Sequence, residues 1–448
     1  MHQRKEIARP LVYASGQRPR QTGPAAHEMT LRKTSRRTLL REAALLPVAG
    51  IGAGRAIAAA SIAARTAPAE PSSRPGALSR ADFALGDQTY IDAAAVHPLS
   101  IHAAAAIRAY LDRRAGMTHR LEGDTDPRTL FAQLINAHPE EVAVVTSTSV
   151  GENYVVNGLG LRGTRDRVVT DSLHFMGSLY MYDELARSGL DVQVVRPRAD
   201  HTIHLDDIAA KINSRTRLVA VSLVSMTTGF KHDLKALCEL AHSHGALVYA
   251  DAVQAIGNIP VDVRDSGVDF LAASTYKWLM GDFGAGFMYA RADRLGALGR
   301  PVYGYEQLDF EMANLPYDPQ PGASGPMKQL QDAHGHLEIG SEAEIILVAA
   351  VDSMQRIATM GVDEIARRRQ PLVDFLRAKL PPLGFEPLAP PSNAALACFA
   401  YPDADKRLRA KLNQANVRIS LYTHRIRVAP SVYNDMGDME KLVDVLAS

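Results

Sequence analysis

Cysteine, tryptophan and unbroken apolar length are scarce in this chain. Of its 448 residues two are Cys, one is Trp and 6% are aromatic. The two cysteines, Cys238 and Cys398, stand in the apolar contexts "KALCELAH" and "ALACFAYP" with no ligand spacing around them. That excludes a disulfide framework and argues against a cysteine-held metal. Net charge is also nearly absent, +1 overall, yet it is unevenly spread. Residues 1–60 hold eleven Lys/Arg against three Glu, a net +8, which leaves 39 against 46, or −7, for the remainder. An acidic body lacks the basic footprint that nucleic acid requires, so no nucleic-acid partner is expected. Repeats are absent as well.

What is present begins with a leader. "SRRTLLREAALLPVAGIGAGRAIAAA" (35–60) sets Arg36 and Arg37 before a weakly hydrophobic, Gly/Ala-rich run ending in small residues. The pattern resembles a twin-arginine export signal. It implies the twin-arginine export machinery as a partner and a periplasmic location; a basic N-terminal arm is the alternative. Met1 and Met29 are both possible starts. Arg55 interrupts the apolar run, which argues against a permanent membrane span. The segment boundaries read as leader and signal over 1–60, a linker rich in Ala, Pro, Ser and Arg over 61–80, and an N-terminal segment over 81–100 that joins a smaller domain. A large domain follows over 101–340, and the smaller C-terminal domain spans 341–448.

From about residue 100 strands and helices alternate. "LSIHAAAAIRAYLDRR" is a helix capped by Ser100, and "EVAVVTS" is a buried strand leading into the helical "SVGENYVVNGLGL". "DRVVTDS", "DVQVVRP", "TRLVAVSLVS", "ALVYADA" and "VDFLAAS" continue as strands with helical stretches between them. This rhythm predicts an α/β fold, a mostly parallel sheet flanked by helices. Residues 296–340 break it with Pro, Gly and Tyr, and so long an irregular stretch is more often functional than idle. Two helices, two short strands and a closing helix then make a smaller α+β domain.

In open α/β sheets ligands bind beyond the carboxyl ends of the strands. The polar residues at those ends are Thr146 to Ser149, His174, Ser225, Asp251 with Gln254, and Ser274, Tyr276 and Lys277. "TSTSVGEN" turns a strand into a helix, where free N–H groups suit a phosphate. Ser or Thr at such a position is also the commonest helix cap. Asp251 closes an apolar strand, where a carboxylate is costly to bury unless it meets a cation. Lys277 lies 26 residues on, one strand–helix–strand excursion, which brings adjacent strand ends together. Pyridoxal phosphate enzymes pair an Asp with the ring nitrogen while a Lys forms the Schiff base.

At "SLVSMTTGFKHDLKALCELAHSHGALVYADAVQAIGNIPVDVRDSGVDFLAASTYKWLMGDFGAGFMYA" the chain resembles the class V aminotransferases, fold type I pyridoxal phosphate enzymes that include cysteine desulfurases, isopenicillin N epimerase and kynureninase. The resemblance runs from about residue 90 to 435. Together with a twin-arginine signal, it is similar to the periplasmic enzymes that tailor pyoverdine siderophores. It implies pyridoxal 5'-phosphate on Lys277, with Asp251 keeping the ring nitrogen protonated and Gln254 on the ring hydroxyl. His174 is the implied stacking residue, with Phe175 beside it as the fallback. Thr148, Ser149, Ser274 and Tyr276 are implied for the phosphate, and Ser341 for the phosphate of a partner subunit in a homodimer with shared active sites. Arg427 is implied for the α-carboxylate of the substrate, a small amino acid or a peptide-borne one. The catalytic set is then Lys277, Asp251 and His174, with no metal.

Two departures shape the functional expectation. Met226 stands where many relatives have Asn, and the loop before the carboxylate-binding strand, "VRISLYTHRIRV", has no Cys. The first expectation is therefore aminotransferase or epimerase chemistry at the α-carbon. The alternatives are a pyridoxal phosphate dependent C–S or C–C lyase, and a non-catalytic module that keeps the fold.

Overall fold

A computed structural model describes residues 78–116, 125–309 and 329–448. The twin-arginine stretch, Met1 and Met29 lie outside the described residues. The strands among the described residues, in chain order, are β1 (Thr89–Tyr90), β2 (Val142–Val145), β3 (Arg167–Asp171), β4 (Asp191–Val195), β5 (Thr216–Ser222), β6 (Leu247–Asp251), β7 (Phe270–Ser274), β8 (Gly286–Ala290), β9 (Glu386–Pro387), β10 (Ala397–Ala400), β11 (Val417–Arg418), β12 (Ser420–Leu421) and β13 (Arg425–Val428).

Seven of them form the main sheet, ordered β2-β8-β7-β6-β5-β3-β4. Only β8 runs against its neighbours; every other pair from β7 to β4 is parallel. Alternate residues of each strand enter two separate cores. Val219, Val221, Val248, Ala250, Leu271 and Ala273 face one, and Leu218, Ala220, Tyr249, Phe270 and Ala272 the other. Burial on both faces is why these strands read as unbroken apolar runs. Helices Thr148–Gly158, Met176–Arg187 and Leu234–Ser243 connect the strands, and Ser147 and Asp233 cap two of them through side-chain oxygens.

The C-terminal part builds a four-stranded antiparallel sheet, β12-β13-β10-β9, with its own core of Leu372, Leu376, Phe385, Phe399, Leu408, Ile426 and Leu442. β1 pairs in parallel with β11, Thr89 opposite Val417, tying the start of the described chain to this part. Asp92 bridges onto Ala429 directly after it. Helix Glu344–Met360 meets helix Val362–Lys379 at Gly361, and Pro371 is accommodated inside the second. Within the irregular 296–340 stretch a short helix, Ala333–Leu337, interrupts the loop, capped by Asp332. Its five residues carry two His and a Gly, so no apolar period announces it.

Candidate active site

The six co-directed strands of the main sheet end on one edge, and the polar residues at those ends gather there. β6 and β7 are adjacent, Asp251 opposite Ala272, so the 26-residue excursion does bring Asp251 and the Lys277 corner together. That corner is strapped down. Thr275 donates its backbone N–H to Ala285 O at 3.0 Å, Met280 N–H reaches Lys277 O at 2.8 Å, and His97 N–H reaches Tyr276 O at 2.9 Å. Trp278 is buried, and its indole N–H donates to Gln254 Oε1 at 2.8 Å. Gly257, at φ +89°, has no room for a side chain, because a Cβ there would sit 2.4 Å from Trp278 O.

Lys277 is 7% exposed. Burial pushes its amine down to about 8; Asp251 opposes that shift and Arg427 adds to it. Its ammonium lies 5.5 Å from the centre of the Tyr276 ring, which stacks on Phe283 at 4.2 Å. Asp251 is also buried, and burial raises its carboxyl, opposed by His174, the Val253 N–H and Lys277. Val253 N–H donates to Asp251 Oδ1 at 3.0 Å, and Ser222 Oγ approaches Oδ2 at 3.4 Å.

A small cleft bounded by Phe175, Ser222, Val224, Met226, Asp251, Val253, Gln254 and Lys277 lies at this edge. Beside it opens a cavity of about 380 Å³ that shares Phe175, Met226 and Lys277 and extends past Tyr276 to Arg427, Tyr422, Arg418 and Arg409. Phe175, not His174, faces both spaces. His174 is fully enclosed, with Nδ1 2.9 Å from Ser222 Oγ and Nε2 3.0 Å from Glu152 Oε1. The Phe175 ring lies back over Gly177, where a Cβ would come within 2.6 Å of Cε1.

Thr148 and Ser274 line neither space and bond each other: the two hydroxyls are 2.9 Å apart, and each also accepts the other's backbone N–H at 2.9 Å. Ser149 is exposed on the first turn of helix Thr148–Gly158. Ser341 lines neither space. It is exposed, at φ +60°, and its N–H donates to Tyr305 Oη at 3.1 Å. Gln254, which borders the cleft, sends Nε2 to Ala94 O at 3.0 Å, and its second amide hydrogen has no partner among the described residues.

Arg427 projects from β13 into the cavity wall and is 2% exposed. Its Nη2 donates to Ser420 Oγ at 2.8 Å and lies 3.5 Å from Asp92 Oδ1, Nη1 reaches Met226 O at 3.4 Å, and Nε has no partner among the described residues. Arg425 turns the other way, over the Tyr422 ring at 3.9 Å. Sequence reasoning missed Glu152, Ser222, Asp92 and Ser420. Glu152 left one signal, a lone acid in an otherwise uncharged helix.

These residues fit pyridoxal phosphate. A buried carboxylate stands at the far end, a buried lysine at the side and an aromatic ring over the cleft. The Thr148 helix N-terminus, its hydroxyl paired with that of Ser274, stands at the same sheet edge without lining either space, and a guanidinium whose Nε–H is unpartnered among the described residues stands in the cavity wall. Neither thiol belongs to the site. Burial pushes both Cys238 and Cys398 up to about 12, and neither lines the cavity.

The family model described as aminotransferase class-V matches residues 89–424. An uncharacterized aminotransferase of Bacillus subtilis is 28% identical over 322 residues, covering 72% of this chain and 82% of that one. A cysteine desulfurase of Klebsiella pneumoniae is 35% identical over 184 residues, 40% of this chain and 45% of that protein. The apo cysteine desulfurase of Thermococcus onnurineus superposes with a TM-score of 0.71 at 23% identity, covering 82% of this chain and 96% of that one. With a fold, a lysine corner and a family match that agree, the chain belongs to the class V aminotransferases and is a pyridoxal phosphate dependent enzyme.

Proposed function

We propose that this enzyme removes the α-proton of a sulfur-bearing amino acid and breaks its Cβ–S bond, acting as a C–S lyase without a thiol of its own. The reading rests chiefly on one observation: Lys277 is buried at 7% exposure, within electrostatic reach of Asp251 and Arg427, beside a cavity whose described lining has no cysteine. The desulfurase relatives support the bond class. The enclosed thiols argue against a protein-bound sulfur carrier, so sulfur leaves on a small molecule.

Pyridoxal phosphate, when bound, supplies an electron sink that makes an amino acid's α-carbon acidic. The chain's own residues supply the rest. Lys277 would hold the cofactor and, as a free amine, would take the α-proton on Nζ; a value near 8 leaves a useful fraction neutral at physiological pH. Asp251 would hold the ring nitrogen and Phe175 would lie against the ring, while Thr148, Ser149, Ser274 and Tyr276 would hold the phosphate. Arg427 receives the α-carboxylate, held in place by Asp92 and Ser420. The Cβ–S electrons leave on sulfur, and the large, partly open cavity gives the leaving group an exit.

Aminotransferase or epimerase chemistry is the second reading, favoured by the Bacillus aminotransferase relative. Both begin with the same proton transfer. L-cysteine and L-cystine turnover decides between them. Thiol or sulfide released with pyruvate supports the lyase, whereas accumulation of the amine form of the cofactor with a keto acid refutes it. A homodimer and twin-arginine export to the periplasm complete the proposal. Exposed Met176, Tyr180 and Phe283 beside the site support a subunit interface, and retention of an Arg36→Lys/Arg37→Lys protein in the cytoplasm tests export.

A further inference from the structure

Glu152 is 1% exposed, and the steps above do not use it. It is the far end of a buried chain that leads to Asp251. Its carboxylate accepts from Tyr182 Oη at 2.8 Å and from the Ser178 hydroxyl, and Oε1 lies 3.0 Å from His174 Nε2. His174 Nδ1 is 2.9 Å from Ser222 Oγ, and Ser222 Oγ is 3.4 Å from Asp251 Oδ2. Helix Thr148–Gly158, the turn after β3, and the ends of β5 and β6 each supply one link.

Counting hydrogens fixes what the chain can be. Ser222 has one hydroxyl proton and two neighbours that would accept it, His174 Nδ1 and Asp251. If His174 is neutral with its proton on Nε2 toward Glu152, Ser222 donates to Nδ1 and Asp251 loses that bond. If His174 is the imidazolium, Nδ1–H donates to Ser222 and the hydroxyl turns to Asp251. The charged groups facing the imidazole favour the second state. Glu152 approaches from its helix, Asp171 from β3 and Asp251 from β6. Lys277 acts on Asp251 from the corner after β7. Asp171 is itself shared with His232 at 3.0 Å. Burial alone would push His174 down, but Glu152 opposes it and the net direction is up.

We propose that Glu152 is a positioning residue that keeps His174 an imidazolium, so that Ser222 turns its hydroxyl to Asp251 and fixes that carboxylate as the anion facing the cofactor's ring nitrogen. The inference rests on the reading that Asp251 faces that nitrogen. Its first half concerns only this chain's own protons and is read separately.

Full-length protein labelled with ¹⁵N-histidine, with His174→Gln to assign the signals, reports the His174 nitrogens directly. In the wild type both nitrogens stay protonated through pH 7. In Glu152→Gln, His174 loses one proton at least one pH unit earlier, a change in proton affinity of about tenfold. The bound-cofactor absorption titrates at a shifted pH, and kcat falls by a similar factor, about tenfold, while KM is unchanged. Glu152→Asp restores the imidazolium. Ser222→Ala keeps His174 charged yet shifts the cofactor titration as Glu152→Gln does. A neutral His174 in the wild type at pH 7 overturns the inference. So does an imidazolium that survives Glu152→Gln, or a Ser222→Ala spectrum that titrates as the wild type. If Glu152→Gln does not fold, the wild-type and Ser222→Ala readings decide. A wild type with no cofactor band refutes the enzyme reading instead and leaves the His174 result standing.

Discussion

Replacing Lys277 by methionine in the cofactor-stripped protein should raise its stability at neutral pH. The amine titrates at about 8 in the folded chain against 10.5 for an unhindered lysine, chiefly because it is buried. Below pH 8 it is charged in both states, and the folded state bears the cost of enclosing the ion. A shift of that size corresponds to about 3 kcal/mol at 1.36 kcal/mol per unit. Between pH 8 and 10.5 the unfolded chain binds more protons than the folded one, so wild-type stability rises with pH through that window. Above 10.5 the lysine is neutral in both states and its burial cost is gone. Methionine has a similar length and no charge. The Lys277→Met protein should therefore exceed the wild type by up to about 3 kcal/mol at pH 7, and the gap should close toward pH 10.5. Urea unfolding of the two proteins across this range, compared at equal slope, reads the difference directly. A Lys277→Met protein no more stable than wild type at pH 7, or a gap that does not change with pH, refutes the reasoning.

The remaining predictions concern the walls of the cavity. Asp92→Asn leaves Arg427 at 2% exposure without its anion, so KM for amino acids should rise about tenfold, the equivalent of about 1.4 kcal/mol, while cofactor absorbance is kept. Loss of the cofactor band instead would remove Arg427 from the substrate side. Gly177→Ala places a methyl 2.6 Å from Phe175 Cε1 and must displace that ring. Alanine favours the helix by about 1 kcal/mol, so fold stability should hold while cofactor affinity drops severalfold. Unchanged affinity would mean that Phe175 does not cover the ring. A Cys238→Ala/Cys398→Ala protein should release sulfur from L-cysteine at the wild-type rate, since both thiols are buried and pushed up to about 12. A rate that collapses would restore a protein thiol to the reaction.

The sheet was readable because its information is local. Strands β5, β6 and β7 are largely apolar runs, each closing on a polar residue, Ser222, Asp251 and Ser274. The Asp251–Lys277 spacing is one crossover, and crossovers between parallel neighbours place strand ends side by side. The choice between His174 and Phe175 was not local in that sense. Both follow Asp171 in a tight turn, where His174 N–H returns to Asp171 O at 3.2 Å. One residue of rotation there exchanges the inward and outward side chains, and no spacing rule specifies it. The charged partners were harder still. Asp92 and Arg427 are separated by 335 residues, and Glu152 and His174 belong to different elements.

This difference has a physical cause that also bears on function. A buried ion is tolerated only where other chain segments supply its hydrogen bonds, so its position is a property of the assembled fold. The site holds two such sets, one in the cavity wall and one enclosed beside Ser222, which lines the cleft. Asp92, Ser420 and the Met226 carbonyl hold Arg427; Glu152, itself held by Ser178 and Tyr182, pairs with His174. Lys277 lies between them with no ion partner within salt-bridge distance among the described residues, and the Tyr276 ring centre is 5.5 Å from its amine. The two sets hold their charges by hydrogen bonds, whereas the lysine is left to lose its proton. An amine that must alternate between covalent attachment and proton transfer requires that freedom, and tying it to a carboxylate would stabilise the protein at the expense of the base.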